Sequence, residues 1–302
     1  MPILPVLTPV SVTPPGGFDY VTVDAVRHRV YAAQPGAQTL LVIDAKTGKL
    51  LKKIHVGRAH GVAVNPTDGH LYTGNGTDDS VSEIDPVSGS IVRTVKVDGH
   101  VDAIAYDSTL HRIYADEDDG NRIFVVDTKT FTAIKDVALP GNKPEYLVID
   151  PSTHMLYQNI ANLSEIAVID PQKLAVVRTI ATPELTNNHP LQFDAVHNAL
   201  LVAGENRVLS VYGTDGKLRG KVAMPTGIDQ CSWDPQRSQL ACAGGSISVF
   251  SYTGKGAPTL IGQSAAIKGV HTLAIDPSTG VIFAVWSDKL EAHVGRYFVS
   301  LP

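Results

Sequence analysis

His60-Gly61-Val62-Ala63-Val64-Asn65 returns in altered form six more times along the chain, and its recurrence decides the fold. Aligned on the closing residue, the copies end at Asp24, Asn65, Asp107, Asp150, Asp194, Asp234 and Asp276, with steps of 41, 42, 43, 44, 40 and 42 residues. A period of about 40 to 45 residues, with several short alternating strands in each unit, marks a β-propeller. Seven copies predict seven blades. Each blade would hold four antiparallel strands, and the whole of 1–302 would be one domain.

Around the repeat the composition is that of a globular protein able to bury a core, with 43% hydrophobic and 18% charged residues. The net charge of -5 argues against a nucleic-acid or anionic-membrane surface, which needs clustered Lys and Arg. Lys49, Lys52, Lys53, Arg93 and Lys96 read instead as solvated outer edges that discourage sheet addition. No apolar run is long enough to span a bilayer, and a monomer is expected. Met1 to Gly17 has no basic segment followed by an apolar one. The chain is therefore either cytoplasmic or begins after a removed signal, which would place it in the periplasm or outside the cell. Cys231 and Cys242 flank a turn near Gln236 and can oppose each other across a hairpin, but the plainer reading is two small buried hydrophobes.

Within the first unit, Tyr20-Val23, Arg29-Ala33, Leu40-Ile43 and Leu51-Val56 read as four strands. Asp-Pro and Asp-to-Gly turns follow at Asp44, Asn65, Asp85, Asp150, Asp170, Asp234 and Asp276. The last unit offers only three strands, around Thr272-Ile275, Val281-Trp286 and Val294-Val299. The segment from Met1 to Val12, with Pro5 and Pro9, suits an outer strand. It is expected to complete the last blade and so close the ring.

The unit motifs Arg29-Val-Tyr-Ala-Ala33, His70-Leu-Tyr-Thr-Gly74 and Arg112-Ile-Tyr-Ala115, each followed by a strand such as Leu41-Val-Ile-Asp44 or Phe124-Val-Val-Asp127, resemble the YVTN (YncE-like) seven-bladed propeller repeat family. Units five to seven depart from it, with Leu200-Leu-Val-Ala203, Leu240-Ala-Cys-Ala243 and Val281-Ile-Phe-Ala284. The resemblance implies the fold over essentially the whole chain. It does not imply one function, since that family includes surface-layer proteins and periplasmic binding proteins.

Five residues before each anchor stand Asp19, His60, Asp102, Glu145, His189, Asp229 and His271, all ionisable. The loop entering the innermost strand of each blade points at the propeller axis, so these seven side chains are expected to ring one mouth of the channel, and the Asp-Pro turns belong to the other end. His60, His189 and His271 fall in the second, fifth and seventh blades and converge from nearly trigonal directions. Three imidazoles so placed predict a divalent metal ion, with Zn, Fe, Mn, Ni or Cu favoured over Ca or Mg. Glu145 is a further ligand or a base, and Asp19, Asp102 and Asp229 are candidates to ligate, to orient histidines or to act as base toward metal-bound water.

Arg58, His100 and Lys143 each precede a ring position by two residues and, with Trp286, are expected to bind the substrate. The cluster Asp116 to Asp119 reads as a solvated turn. His28, His111, His154 and His197 read as surface residues near the opposite end. No P-loop or Gly-x-Ser-x-Gly elbow occurs, which argues against nucleotide and serine-hydrolase chemistry. The expected activity is metal-assisted hydrolysis or elimination on a small molecule, similar in architecture only to propeller lactonases and streptogramin lyases. A non-catalytic YVTN-type binding protein and a non-haem metal oxidative enzyme are the alternatives.

Overall fold

The computed structural model describes residues 3–13 and 15–299. Residues 1, 2, 14 and 300–302, which belong to the expected unit over 1–302, lie outside the described residues, as do the first two residues of the expected N-terminal strand. The described chain is all-β apart from two single-turn helices, and it forms seven four-stranded antiparallel sheets. Six blades are consecutive in sequence, the first being Val21–Asp24, Arg29–Gln34, Thr39–Asp44 and Leu50–His55. In the seventh, Thr272–Ile275, Ile282–Ser287 and Ala292–Val299 are joined by Ile3–Thr13, which pairs antiparallel with Ala292–Val299. The inner strand of each blade touches that of the next, and the inner strand of the seventh touches that of the first.

The two middle strands of a blade are covered on both faces by neighbouring blades, so they need near-continuous apolar sequence. Thr39–Asp44 and Arg122–Asp127 accordingly bury every residue but their first and last, whereas the outer strand Thr132–Ala138 is almost wholly exposed. The motif tyrosines Tyr31, Tyr72 and Tyr114 are buried core residues. At the far ends of the inner strands the anchor carboxylates cap their own turns: Asp150 accepts from the Ser152 amide at 2.8 Å and Asp276 from the Ser278 amide at 2.9 Å. Several arginines tie a turn of one blade to the blade beside it. Arg27 donates to the Thr67 carbonyl (3.1 Å), Arg93 to Thr128 (3.1 Å), Arg237 to Pro277 (2.9 Å), and Arg296 of the last blade to Lys46 of the first.

Two expectations are corrected at this level. Cys231 and Cys242 are directly opposed across a hairpin and joined as a disulfide, not two separate thiols. The antiparallel register places their Cα atoms 4.0 Å apart, within bonding reach. His154 and His197 are half-buried rather than free on the surface, because they lie 2.8 and 2.6 Å from the anchor carboxylates Asp107 and Asp194.

Candidate functional site at the axial mouth

The ring residues are aimed by local irregularity. In blades two to five the inner strand carries one more residue than its partner at the ring position: between Ala59 and Val62, Val101 and Ile104, Glu145 and Leu147, and Asn188 and Leu191. Such a bulge bends the strand and re-aims a side chain, here that of His60, Asp102, Glu145 or His189. Gly61 sits in the first bulge, where a Cβ would come within 2.5 Å of the Asp102 carbonyl oxygen, so only glycine lets the inner strands of blades two and three lie this close. Asp19 and Asp229 precede their strands, and their backbone N–H groups donate hydrogen bonds of 3.0 Å to the carbonyls of Ala33 and Ala243.

Apart from the adjacent carboxylates Asp102 and Glu145, carboxylate and imidazole alternate round the ring, and each histidine is held by a neighbour. His60 Nδ1 lies 2.6 Å from Asp19 and 3.7 Å from Asp102. Farther round, His189 Nδ1 is 3.3 Å from Glu145 and its Nε2 is 2.7 Å from Asp229, whose other oxygen is 2.5 Å from His271 Nδ1. Among the described residues, the group whose ligand atoms lie within 4.8 Å of one another is Asp19, His60 and Asp102, rather than the three histidines. Carboxylates of adjacent blades engage Nδ1 of His60 and His271 and both nitrogens of His189.

This packing perturbs the titration of the ring. Burial pushes the Glu145 carboxyl up to about 7, partly opposed by the His189 charge. Burial works against charge on His189, but its hydrogen bond to Asp229 and the charge of Glu145 outweigh that and raise it to about 9. Asp229 resists its own burial because His189 and His271 both donate to it, and it stays well below the usual carboxylate range. His271 is raised by its bond to Asp229, and His60, against burial, by its bond to Asp19. Asp102 is raised by burial and by the nearby charges of Asp19 and Glu145.

Beneath the ring lies a floor that the repeat pattern does not announce. The Tyr20 hydroxyl donates to Asp102 Oδ2 at 3.2 Å, and the Tyr20 ring packs against Tyr146 with centroids 5.4 Å apart. Tyr146 has a φ of 61°, an uncommon left-handed conformation for a bulky residue. Asp116 is not part of a solvated turn: it is fully buried, accepting from the Ala103 amide (2.7 Å) and from Gln158 Nε2 (3.0 Å), and burial drives its carboxyl far upward. Below this floor runs a cavity of about 550 Å³ lined by inner-strand residues including Val23, Val64, Ile104 and Val148. The sequence cue to the floor is that Tyr20 and Tyr146 each directly follow a ring carboxylate, Asp19 and Glu145.

The expected substrate-binding residues separate. His100 lies over the loop of blade two, its Nδ1 2.6 Å from Asp79 and 2.8 Å from the Gly76 carbonyl. Lys143 is exposed, 3.8 Å from Asp119, and Arg58 is exposed. Trp286 is buried in the core shared with blade six and stacks on His293 at 5.3 Å. It is too enclosed to line an open mouth.

No family model matches the chain. It is 26% identical over 179 residues to the uncharacterized protein YncE of Salmonella typhimurium, covering 57% of this chain and 50% of that one, and equally to YncE of Salmonella typhi. The chain thus spans about half the length of the curated relatives it matches. Among solved structures it superposes on Kuenenia stuttgartiensis hydrazine synthase with a TM-score of 0.82 at 16% identity, covering 96% of this chain and 98% of that chain. The propeller domain of Myceliophteria thermophila Cps50 (Swd1) gives 0.80 at 12% identity, covering 99% and 100%. At such identities these structures share the fold alone. The partial likeness to YncE and the seven four-stranded blades together fit the chain to a YncE-like family of β-propellers.

Proposed function

We propose that the axial mouth binds a divalent cation through Asp19, His60 and Asp102, and that the protein uses it for metal-assisted hydrolysis or elimination on a small molecule such as a lactone or ester. The observation that carries this reading is the convergence of one imidazole nitrogen and two carboxylates within 4.8 Å of one another at the mouth. That donor set fits a borderline-to-hard ion, so Mn, Fe and Zn gain over Cu and Ni relative to a three-imidazole site. When bound, such an ion supplies a Lewis acid.

The chain's own residues supply the rest. Tyr20 holds Asp102, and Asp19 holds His60. Glu145, titrating at about 7, is poised to accept or return a proton at its carboxyl oxygen near neutral pH. His189, at about 9, stays cationic beside it and favours a developing negative charge. The buried disulfide supports an oxidising compartment, periplasmic or extracellular.

One observation favours a second reading. His189 has both nitrogens engaged and Asp229 both oxygens, so half of the ring satisfies itself. A mouth so braced is suited to hold a ligand without turning it over.

Elemental analysis by inductively coupled plasma mass spectrometry, followed by titration of the metal-free protein with Mn²⁺ and Zn²⁺, tests the proposal. The wild type is expected to take up about one equivalent, and His60→Ala and Asp102→Asn to lose it while remaining folded. A wild type that takes up neither ion sinks the cation reading. Uptake without chelator-sensitive turnover of lactones or esters leaves the binding reading in its place.

A further inference from the structure

Nine of the eleven arginines donate through the guanidinium to a carbonyl or carboxylate, most of them at the turns between blades. Arg58 is not among them: among the described residues its guanidinium has no partner, and it is exposed. It lines a cleft of about 410 Å³ between blades one and two, outside the carboxylate–imidazole ring.

The cleft wall is polar and buried. The middle strands of blade two place Asn75, Ser80 and Ser82 there, each no more than 3% exposed. At the register position of Ser82, blade one has Leu41 and blade three Phe124, while blades five and six also carry serines, Ser210 and Ser248; what blade two adds is Asn75 and Ser80 beside it. Asn75 Nδ2 donates to the Ser80 and Ser82 hydroxyls at 3.2 and 2.9 Å, and Ser82 shares a proton with Thr94 at 3.0 Å. Ser80 therefore accepts from Asn75 and keeps its own O–H, for which no acceptor lies within reach among the described residues. A buried hydroxyl with a proton to give is costly unless something takes it.

The other groups at the rim point the same way. Lys96, which donates to the Asp78 carbonyl, and His55 line the cleft with Arg58, against one carboxylate, that of Asp78. Gly57, with a φ of 73°, carries the chain into Arg58. That left-handed backbone favours glycine, and the Asp78 carboxylate lies close against it. An unpartnered planar guanidinium, a fixed ammonium and a donor hydroxyl in one cleft suit an oxyanion, because a fork of N–H donors matches its geometry.

We infer that the cleft between blades one and two is a binding site for the phosphate or carboxylate group of a small molecule, with Arg58 as the principal donor and Ser80 as the buried one. The site does not depend on a metal at the axis.

Two-dimensional NMR titrations with inorganic phosphate and, separately, with succinate test this and tell the two oxyanions apart. Shifts are expected at residues 55–58 and 75–82 for at least one anion. Arg58→Ala should weaken that binding by about tenfold or more, the worth of one charge-assisted contact, and Ser80→Ala by a smaller factor. Lys53→Ala, which removes an exposed cation that does not line the cleft, should bind as the wild type does. Equal binding by Arg58→Ala and wild type, an equal loss in Lys53→Ala, or no binding of either anion overturns the inference. A failure of metal uptake at the axis would leave it standing.

Discussion

Tyr20 shows how much of the site rests on a side chain that no repeat pattern singles out. It is 8% exposed, and four carboxylates, nearest in effect Asp102, join burial in keeping its phenol protonated, so it remains a donor at every working pH. Its hydroxyl fixes one oxygen of Asp102 and leaves the other turned toward His60, 3.7 Å away. Tyr20 is thus a positioning residue for the proposed cation site. Tyr20→Phe keeps the ring packing against Tyr146 and deletes only the hydrogen bond. It should weaken Mn²⁺ or Zn²⁺ binding by about 10- to 100-fold, the usual effect of losing a group that orients a ligand, with little change in the unfolding midpoint. Calorimetric titration of the variant beside wild type decides it; equal affinities would remove Tyr20 from the site.

The hairpin of Gln230–Asp234 and Gln239–Ala243 makes a comparable point for an element. Cys231 faces Cys242 directly, and a bond between them closes a loop of sequence separation 11. Both sulfurs are buried, between the core of blade six and that of its neighbour. On the chain-entropy account a loop of this length is worth about 2–3 kcal/mol. Reduction, or the Cys231→Ala/Cys242→Ala pair, should therefore lower the unfolding free energy by that amount, seen as a lower urea midpoint. A midpoint indifferent to reductant in the wild type would show that the thiols are not joined in solution. The element also explains why the plainer sequence reading fails. Buried apolar cysteines and a buried cystine have the same composition and the same alternation, and only the strand register shows that these two are direct partners.

Across the whole molecule the ring behaves as one titrating unit, because Glu145, His189, Asp229 and His271 from four blades hold one another. His189 is raised from 6.5 to about 9, so its contribution to stability is complete below about pH 6.5 and is lost as pH rises through about 9. Glu145 is raised from 4.5 to about 7, and its contribution is likewise complete below about pH 4.5 and fades as pH rises through about 7. Asp229 is lowered, so what it contributes is present above 3.8 and disappears in acid. Stability should therefore decline between about pH 6.5 and 9. A quarter of the His189 side chain is exposed and solvent screens the pair, so the change is on the order of 1 kcal/mol. Urea midpoints across that window measure it, and His189→Gln should flatten the slope. A wild-type midpoint that rises toward pH 9 would contradict the assignment.

The sequence by itself determined the number of blades, the strands in them and which seven positions face the axial mouth. These follow from local periodicity: a strand covered on both faces must be apolar along its length, and a turn needs Asp and Gly where they stand. Only the tertiary structure decided what the ring side chains do with one another. A bulge of one residue at Glu145 or His60 leaves no mark in composition, yet it sets whether an imidazole reaches the axis or the carboxylate of the next blade. The three histidines therefore do not meet as their spacing alone implies. Asp116, read as solvated, is buried because the adjoining blade supplies Gln158 to hold it. Contacts between blades join residues some forty positions apart, and their geometry depends on strand register and sheet twist rather than on any neighbour in the chain.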